Sequence, residues 1–459
     1  MSENFWDQVY SYRKEGIDPL RWIPTCSNEP DNELLKHVLG KVKRCNVKLD
    51  PNWFDAFHYS EKKSPELTRR VFTFDGAVLE KEVMIRHALS LFQVHNEIGE
   101  DPLLLENTVI NFFKKFKSKV LIRKNTVSLT SHVDSQFALL DYVQLHKGDK
   151  VGFSVATNSA TQIFDPMLNL DSEINSNIAM VRTIDHLNLL GCTSGFVLYP
   201  IYDASTENML DKIRENLDKF TSRYNLGMED YSSLKIGKPF FGNTALANTL
   251  KELPVNYHQV ETGMQVIISN KLGMLSAFAL FMLAQIDPSL SDRLDKTDIK
   301  ISDLNTARDQ TLKSLGEPKF SLGRVISKYC PDFGMSFDKS EHIMAVYPVS
   351  SEGILAVKTL SQLTNSEIMI DDIPILSNDI AKFVTSENLI SNSTIPANGC
   401  HLIIASPNIS NLIMDDLRKH NYEPFIIGHI ANRERPSVKY NTNVDTFMMS
   451  NFKLQNQIL

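Results

Sequence analysis

The sequence predicts an α+β protein in which two α/β domains follow a helical N-terminal region. Three observations carry that expectation. Two apolar stripes at helical spacing lie between Leu79 and Phe116; short strand-like runs begin near Val120; and the stretch from Cys400 to Ile430 reads as strand, helix, strand. A chain of 459 residues has room for roughly two to four domains, each with its own core. The expected divisions are a helical extension over 1–120, a first α/β domain over 121–257, a second over 258–435 and a tail over 436–459.

Residues 1 to 60 carry Pro19, Pro24, Pro30 and Pro51 together with Phe5, Trp6, Tyr10, Trp22 and Trp53. They read as an irregular segment clamped to a domain surface by its aromatic side chains. Val83, Ile85, Ala88, Leu89, Leu91 and Phe92 make the first helical stripe, and Leu105, Val109, Ile110, Phe112, Phe113 and Phe116 the second. VLIRKNTVSL, SQFALLDYVQL and DKVGFSVAT then read as strands. The next helix, SEINSNIAMVRTIDHLNLLG, opens on Ser172 and ends at Gly191. A strand, GFVLYPIY, precedes an amphipathic helix, ENMLDKIRENLDKFTSRYN, that closes near Gly227. This order suits a mainly antiparallel sheet with helices on one face.

In the second half, MQVIISN is a strand, and Leu272 to Ile286 a buried apolar helix too short for the roughly 20 residues of a membrane span. The charged stretch 287–317 reads as exposed helix. HIMAVYPVS, SEIMIDDI, CHLIIASP and EPFIIGHI are strands, with helices GILAVKTLSQLT and ISNLIMDDLRKHNY between them. The net charge of −7 leaves no electrostatic footprint for nucleic acid. Five widely spaced cysteines without a C-x-x-C pair argue against a disulfide framework or zinc ribbon. The N-terminus has no apolar signal core, so the expected location is cytoplasmic, without membrane attachment.

Familiar catalytic motifs are absent. Gly237–Lys238 is followed by Pro239, which removes both the hydroxyl and the helix start of a phosphate loop. His87 and His95 lie two helical turns apart and read as ordinary helix residues. Cys192 follows Gly191 in apolar surroundings and reads as a small buried side chain.

The C-terminal stretch NGCHLIIASPNISNLIMDDLRKHNYEPFIIGHI, with Gly399 and Gly428, resembles the ending of selenophosphate synthetases and their relatives. VETGMQVIISNKLGMLSAFAL, SNIAMVRTIDHLNLLGCTSGFVLYP, ATNSATQIFDP and SHVDSQFALL resemble further segments of that superfamily, in the right order. Residues 120 to 435 are therefore similar to the aminoimidazole ribonucleotide synthetase and selenophosphate synthetase superfamily. The resemblance implies a homodimer whose first domains pair into a barrel. It also implies ATP bound between the two domains through Mg²⁺ held by aspartates, for phosphoryl transfer to a small substrate. Carried onto this chain, the metal ligands would be Asp134, Asp165, Asp171 and Asp185. The ATP contacts would be Thr157, Arg182, Lys271 and Gly273.

The departures from the pattern weigh against that chemistry. Asp134 is followed by Ser135 rather than a second aspartate, and Thr157–Asn158 replaces a threonine–aspartate pair. Arg182 stands where asparagine is expected, His186 where aspartate is expected, and Pro348 where another aspartate would fall. Each charge-assisted bond lost costs on the order of 1–3 kcal/mol. No cysteine lies between Cys45 and Cys192 to serve as the selenophosphate-synthetase nucleophile. Asp165 precedes Pro166, also a common turn pair, and Asp171 sits at a helix start. Three readings follow: ATP- and Mg²⁺-dependent phosphoryl transfer with a degenerate metal site; a non-catalytic scaffold or regulatory binding protein of the same fold; or phosphate handling by Arg182, His186 and Lys271 in place of metal.

Overall fold

The computed structural model describes residues 3–15, 47–49, 120–122, 143–147, 150–161, 165, 167–230, 239–349, 353–387, 389–390 and 392–448. The helical stripes of 79–116, both histidines on them, and Asp134 lie outside the described residues.

A five-stranded sheet has the order β3-β4-β7-β5-β6. Its strands are β3 (Val143–Lys147), β4 (Lys150–Thr161), β5 (Ser194–Asp203), β6 (Gly227–Met228) and β7 (Phe240–Thr249). All its pairings are antiparallel except β5 with β6. A separate parallel pair joins β1 (Val47–Leu49) to β2 (Val120–Ile122). Helices α2 (Glu173–Leu189) and α3 (Glu207–Tyr224) follow from their local sequence. Ser172 caps α2 by accepting from Asn175 N at 3.3 Å, and Thr206 caps α3 from Met209 N at 3.3 Å. Asn225, in left-handed conformation, ends α3 two residues before the expected glycine. Leu210, Ile213, Leu217 and Phe220 form the buried stripe of α3, packed with Phe241, Ala245 and Ala247 of β7 and with α2.

The six-stranded sheet has the order β13-β10-β12-β8-β11-β9. Its strands are β8 (Gln265–Ile268), β9 (Ala345–Pro348), β10 (Ser366–Ile370), β11 (His401–Ala405), β12 (Phe425–Arg433) and β13 (Ser437–Tyr440). The strand-helix-strand of β11, α10 (Pro407–Arg418) and β12 is present, but β8 lies between the two strands, antiparallel to both. Alternation on β8 explains the layering. Ile267 faces a core shared with α2 and α3, whereas Val266 and Ile268 face the opposite core beside α8 (Ala356–Thr364). Both sheets thus contribute to one continuous core.

Helix α4 (Met274–Ile286) is apolar around most of its circumference because it is enclosed. Its core also contains residues of α5 (Pro288–Leu294), α6 (Ile301–Gly316), α9 (Asn378–Ser386) and α1 (Glu3–Lys14). Among the described residues no helix is long and apolar enough to cross a membrane. Two expectations need correction. Helix α6 is not simply exposed, since it buries Leu304, Ala307, Leu312 and Leu315. The N-terminal segment is helical from residue 3, with Phe5, Val9 and Tyr12 on one buried stripe. Tyr12 donates to Leu168 O at 2.9 Å and accepts from Asn175 Nδ2 at 2.8 Å.

Gly428 permits a close backbone approach rather than a turn. A Cβ there would stand 1.9 Å from Met369 O on the neighbouring β10, beside an irregularity in the β12–β8 register. Gly263, with φ of 87°, has nothing within 4 Å of such a Cβ. Gly428→Ala should therefore lower stability by more than ~3 kcal/mol, against about 1 kcal/mol for Gly263→Ala. Paired denaturant titrations measure both, and equal losses would refute the account.

Candidate functional site

One end of the six-stranded sheet gathers polar groups from several elements. The register places the end of β8 beside the starts of β11 and β12, so Ser269–Lys271, Gly399–His401 and Glu423 meet there. Ser269 knits the first two together. Its hydroxyl donates to Gly399 O at 2.9 Å and accepts from His401 N at 2.9 Å. Cys400 Sγ lies 3.5 Å from Asn270 O, and Lys271 forms an ion pair with Glu423.

Helix α2 reaches this sheet end through Asp185. Its Oδ2 accepts from Gly399 N at 2.9 Å and lies 3.1 Å from His401 Nε2. Both side chains are buried. Burial opposes the carboxylate, but His401 and the Gly399 amide prevail and hold its pKa below the usual range. Gly399 has a φ of 83°, which a side chain rarely tolerates and which brings its N–H onto the carboxylate. His401 Nδ1 has no hydrogen-bond partner among the described residues.

Next to Asp185, His186 is pushed down to about 3 by burial and by the positive Arg182, with Asp185 opposing. It stays neutral at ordinary pH. Arg182 and His186, one turn apart on α2, are thus brought together, while Lys271 is already engaged by Glu423. Gly273, with φ of 90°, starts α4 without a side-chain cap. A Cβ there would meet Ser393 O at 3.3 Å, so the absent side chain accommodates protein backbone.

The aspartates do not share a coordination sphere. Asp171 and Asp185 bracket almost the full length of α2, which separates them by roughly 20 Å along the axis. The main-chain oxygen of Asp171 accepts from Asn216 Nδ2 at 2.8 Å. Asp165 is fully enclosed in the turn before α2, where its Oδ1 accepts from Met167 N at 2.8 Å and its carboxylate pairs with Arg308 of α6. Burial raises its pKa and Arg308 counters that shift. The Arg308 guanidinium also lies 5.6 Å from the Phe281 ring centroid. Among the described residues no group of three or more His, Cys, Asp or Glu could hold a metal ion. Thr157 lies on β4 opposite Ala245 of β7. Pro348 ends β9 opposite His401, at this same sheet end. Cys192, Cys330 and Cys400 are buried, and burial raises each thiol pKa, so none is an activated thiolate. Sequence reading missed Arg308, His401 and Lys319; His401 lies in the C-terminal stretch that carries the resemblance, but nothing there marks its side chain as a partner for Asp185.

No family model and no curated protein matches the chain. Solved structures do resemble it. Thiamine-monophosphate kinase from Stenotrophomonas maltophilia K279a is 13% identical, over 65% of this chain and 91% of that one, with a TM-score of 0.46. The enzyme of the same name from Aquifex aeolicus is 12% identical, over 65% and 90%, at 0.44. Hydrogenase maturation protein HypE, solved in complex with ATP, is 12% identical, over 63% and 79%, at 0.43. These proteins are members of the aminoimidazole-ribonucleotide-synthetase-related superfamily.

Two stability predictions follow from the buried charges. His186 has a folded pKa below its unfolded value of about 6.5, so between there and about 3 the unfolded chain holds the extra proton. Stability should fall as pH drops through that window, by at most about 1.4 kcal/mol per pH unit from this group. His186→Gln should flatten that slope in urea titrations, and an unchanged slope counts against burial as the cause. Arg308→Met should cost about 3–5 kcal/mol by stranding Asp165, and Asp165→Asn in the same chain should recover part of it. A double-mutant cycle in denaturant measures the coupling.

Proposed function

We propose that this chain is a binding protein on a synthetase-type fold, in which metal-dependent phosphoryl transfer has been given up. One observation carries the reading: the enclosed carboxylates near α2 already have protein partners. Asp165 is paired with Arg308, and Asp185 is held by the Gly399 amide and His401. A divalent ion would have to displace these groups, and breaking a buried pair costs about 3–5 kcal/mol. The role that Mg²⁺ plays for clustered carboxylates is thereby filled by arginine, histidine and a backbone N–H.

The reading extends to the assembly. A homodimer joined through the first α/β domain would leave the second domain free to bind a ligand or partner. ATP-dependent phosphoryl transfer to a small substrate is the competing reading from the sequence resemblance, and it makes the opposite prediction for Mg²⁺. Calorimetry of the full chain with ATP, with and without Mg²⁺, separates them, alongside a phosphate-release assay. We expect no turnover and no gain in ATP affinity from Mg²⁺. Turnover that Asp185→Asn or Asp134→Ala abolishes would overturn the proposal. Sedimentation equilibrium tests the dimer, and a monomer at all concentrations would remove it.

A further inference from the structure

The turn between α6 and α7 (Ser321–Lys328) places one cation at the sheet end without an acidic partner. The main chain of Lys319 is pinned there, its carbonyl accepting from Asn188 Nδ2 of α2 at 3.3 Å and from Leu322 N at 3.1 Å. Its side chain runs past Gly399, so that a Cβ on that glycine would lie 3.4 Å from Lys319 Cδ and 3.5 Å from Nζ. Nζ stands 5.2 Å from the centroid of the buried Tyr422 ring. Among the described residues no carboxylate is within ion-pair distance of it. Asp185, the acid that bears on it most, is already occupied by Gly399 N and His401.

We propose that Lys319 anchors a site for a small oxyanion at this sheet end, beside Gly399 and Tyr422. An aromatic face alone compensates a partly desolvated ammonium only weakly. An anion would compensate it far better, and a lysine suits an oxyanion as a point charge. The charges that bear on Lys319 are mixed, with Lys313 opposing its protonation and Asp185 and Glu317 favouring it, and Asp185 is already held by the Gly399 amide and His401. Burial also lowers the Lys319 pKa, so an arriving anion should restore the proton and be accompanied by proton uptake at alkaline pH.

This inference rests on the binding-protein reading only in requiring no metal, and its test is separable from it. Calorimetry of the full chain with inorganic phosphate in EDTA, in two buffers of different ionisation enthalpy, should show binding coupled to proton uptake. Lys319→Gln should weaken affinity about tenfold or more, Lys319→Arg should retain most of it, and Lys328→Gln should leave it unchanged. Melting curves confirm folding. If Lys319→Gln does not fold, the Arg variant and the wild-type proton uptake decide the matter. No binding at millimolar phosphate, or equal affinity in wild type and Lys319→Gln, overturns the site. Mg-ATP turnover, read separately, would overturn only the binding-protein reading.

Discussion

A carboxylate taken out of water must be given donors or lose its charge, and Asp185 shows how much structure that requirement recruits. The residue lies well inside α2, a helix whose other buried positions serve the five-stranded sheet. Its carboxylate nonetheless reaches the six-stranded sheet, where the Gly399 amide and His401 meet it. To present that amide, Gly399 adopts a positive φ, and Ser269 then holds the oxygen of Gly399 and the nitrogen of His401. The junction between the two sheets is polar at this point and apolar around it, where Ile267, Ile403 and Val346 join the core of α2 and α3. Apolar packing supplies the area, and the carboxylate supplies the register.

The same solution appears at the other end of α2. Asp165 sits in the turn that leads into the helix, and Arg308 arrives from α6 to meet it, with Phe281 of α4 beneath the guanidinium. Tyr12 of α1 reaches the same turn from the N-terminus, its hydroxyl 2.9 Å from Leu168 O. Charge that clustered acids would offer to a metal is here neutralised within the protein. Such pairs add little net stability compared with an apolar replacement, yet removing one partner is costly. An acid held this way has its charge met without a metal.

How much of this was legible in the sequence depends on how local the signal is. Helix α2 begins at Ser172 because a serine three residues before Asn175 can cap it, and that is visible in a short window. The β11-α10-β12 unit was equally readable, since apolar strand and amphipathic helix alternate cleanly. The insertion of β8 between those strands was not, because pairing order is set by long-range packing. Strand β7, FFGNTALANT, was missed because its inward positions include Asn243 and Thr249, which hide the alternation. Helix α1 was masked by the prolines that follow it, although Phe5, Val9 and Tyr12 have helical spacing. The partners of the aspartates are far away in sequence. Nothing near Asp165 announces Arg308, and nothing near Asp185 announces His401.

That distance explains why motif degeneration and site geometry tell different parts of one story. Against the motif that the sequence resembles, α2 carries Arg182 and His186 where asparagine and aspartate are expected, and that difference is visible in the sequence itself. The tertiary part is not visible there: Asp185 is held by Gly399 and His401, which lie far away in the sequence. Lys319 arrives from the turn after α6 without an acidic partner among the described residues, in a partly dry setting where Coulomb interactions are stronger than in water. An ammonium placed in that way disfavours a divalent cation and favours an anion. That preference follows from the burial of Asp185 against its own partners, which leaves the Lys319 ammonium without one.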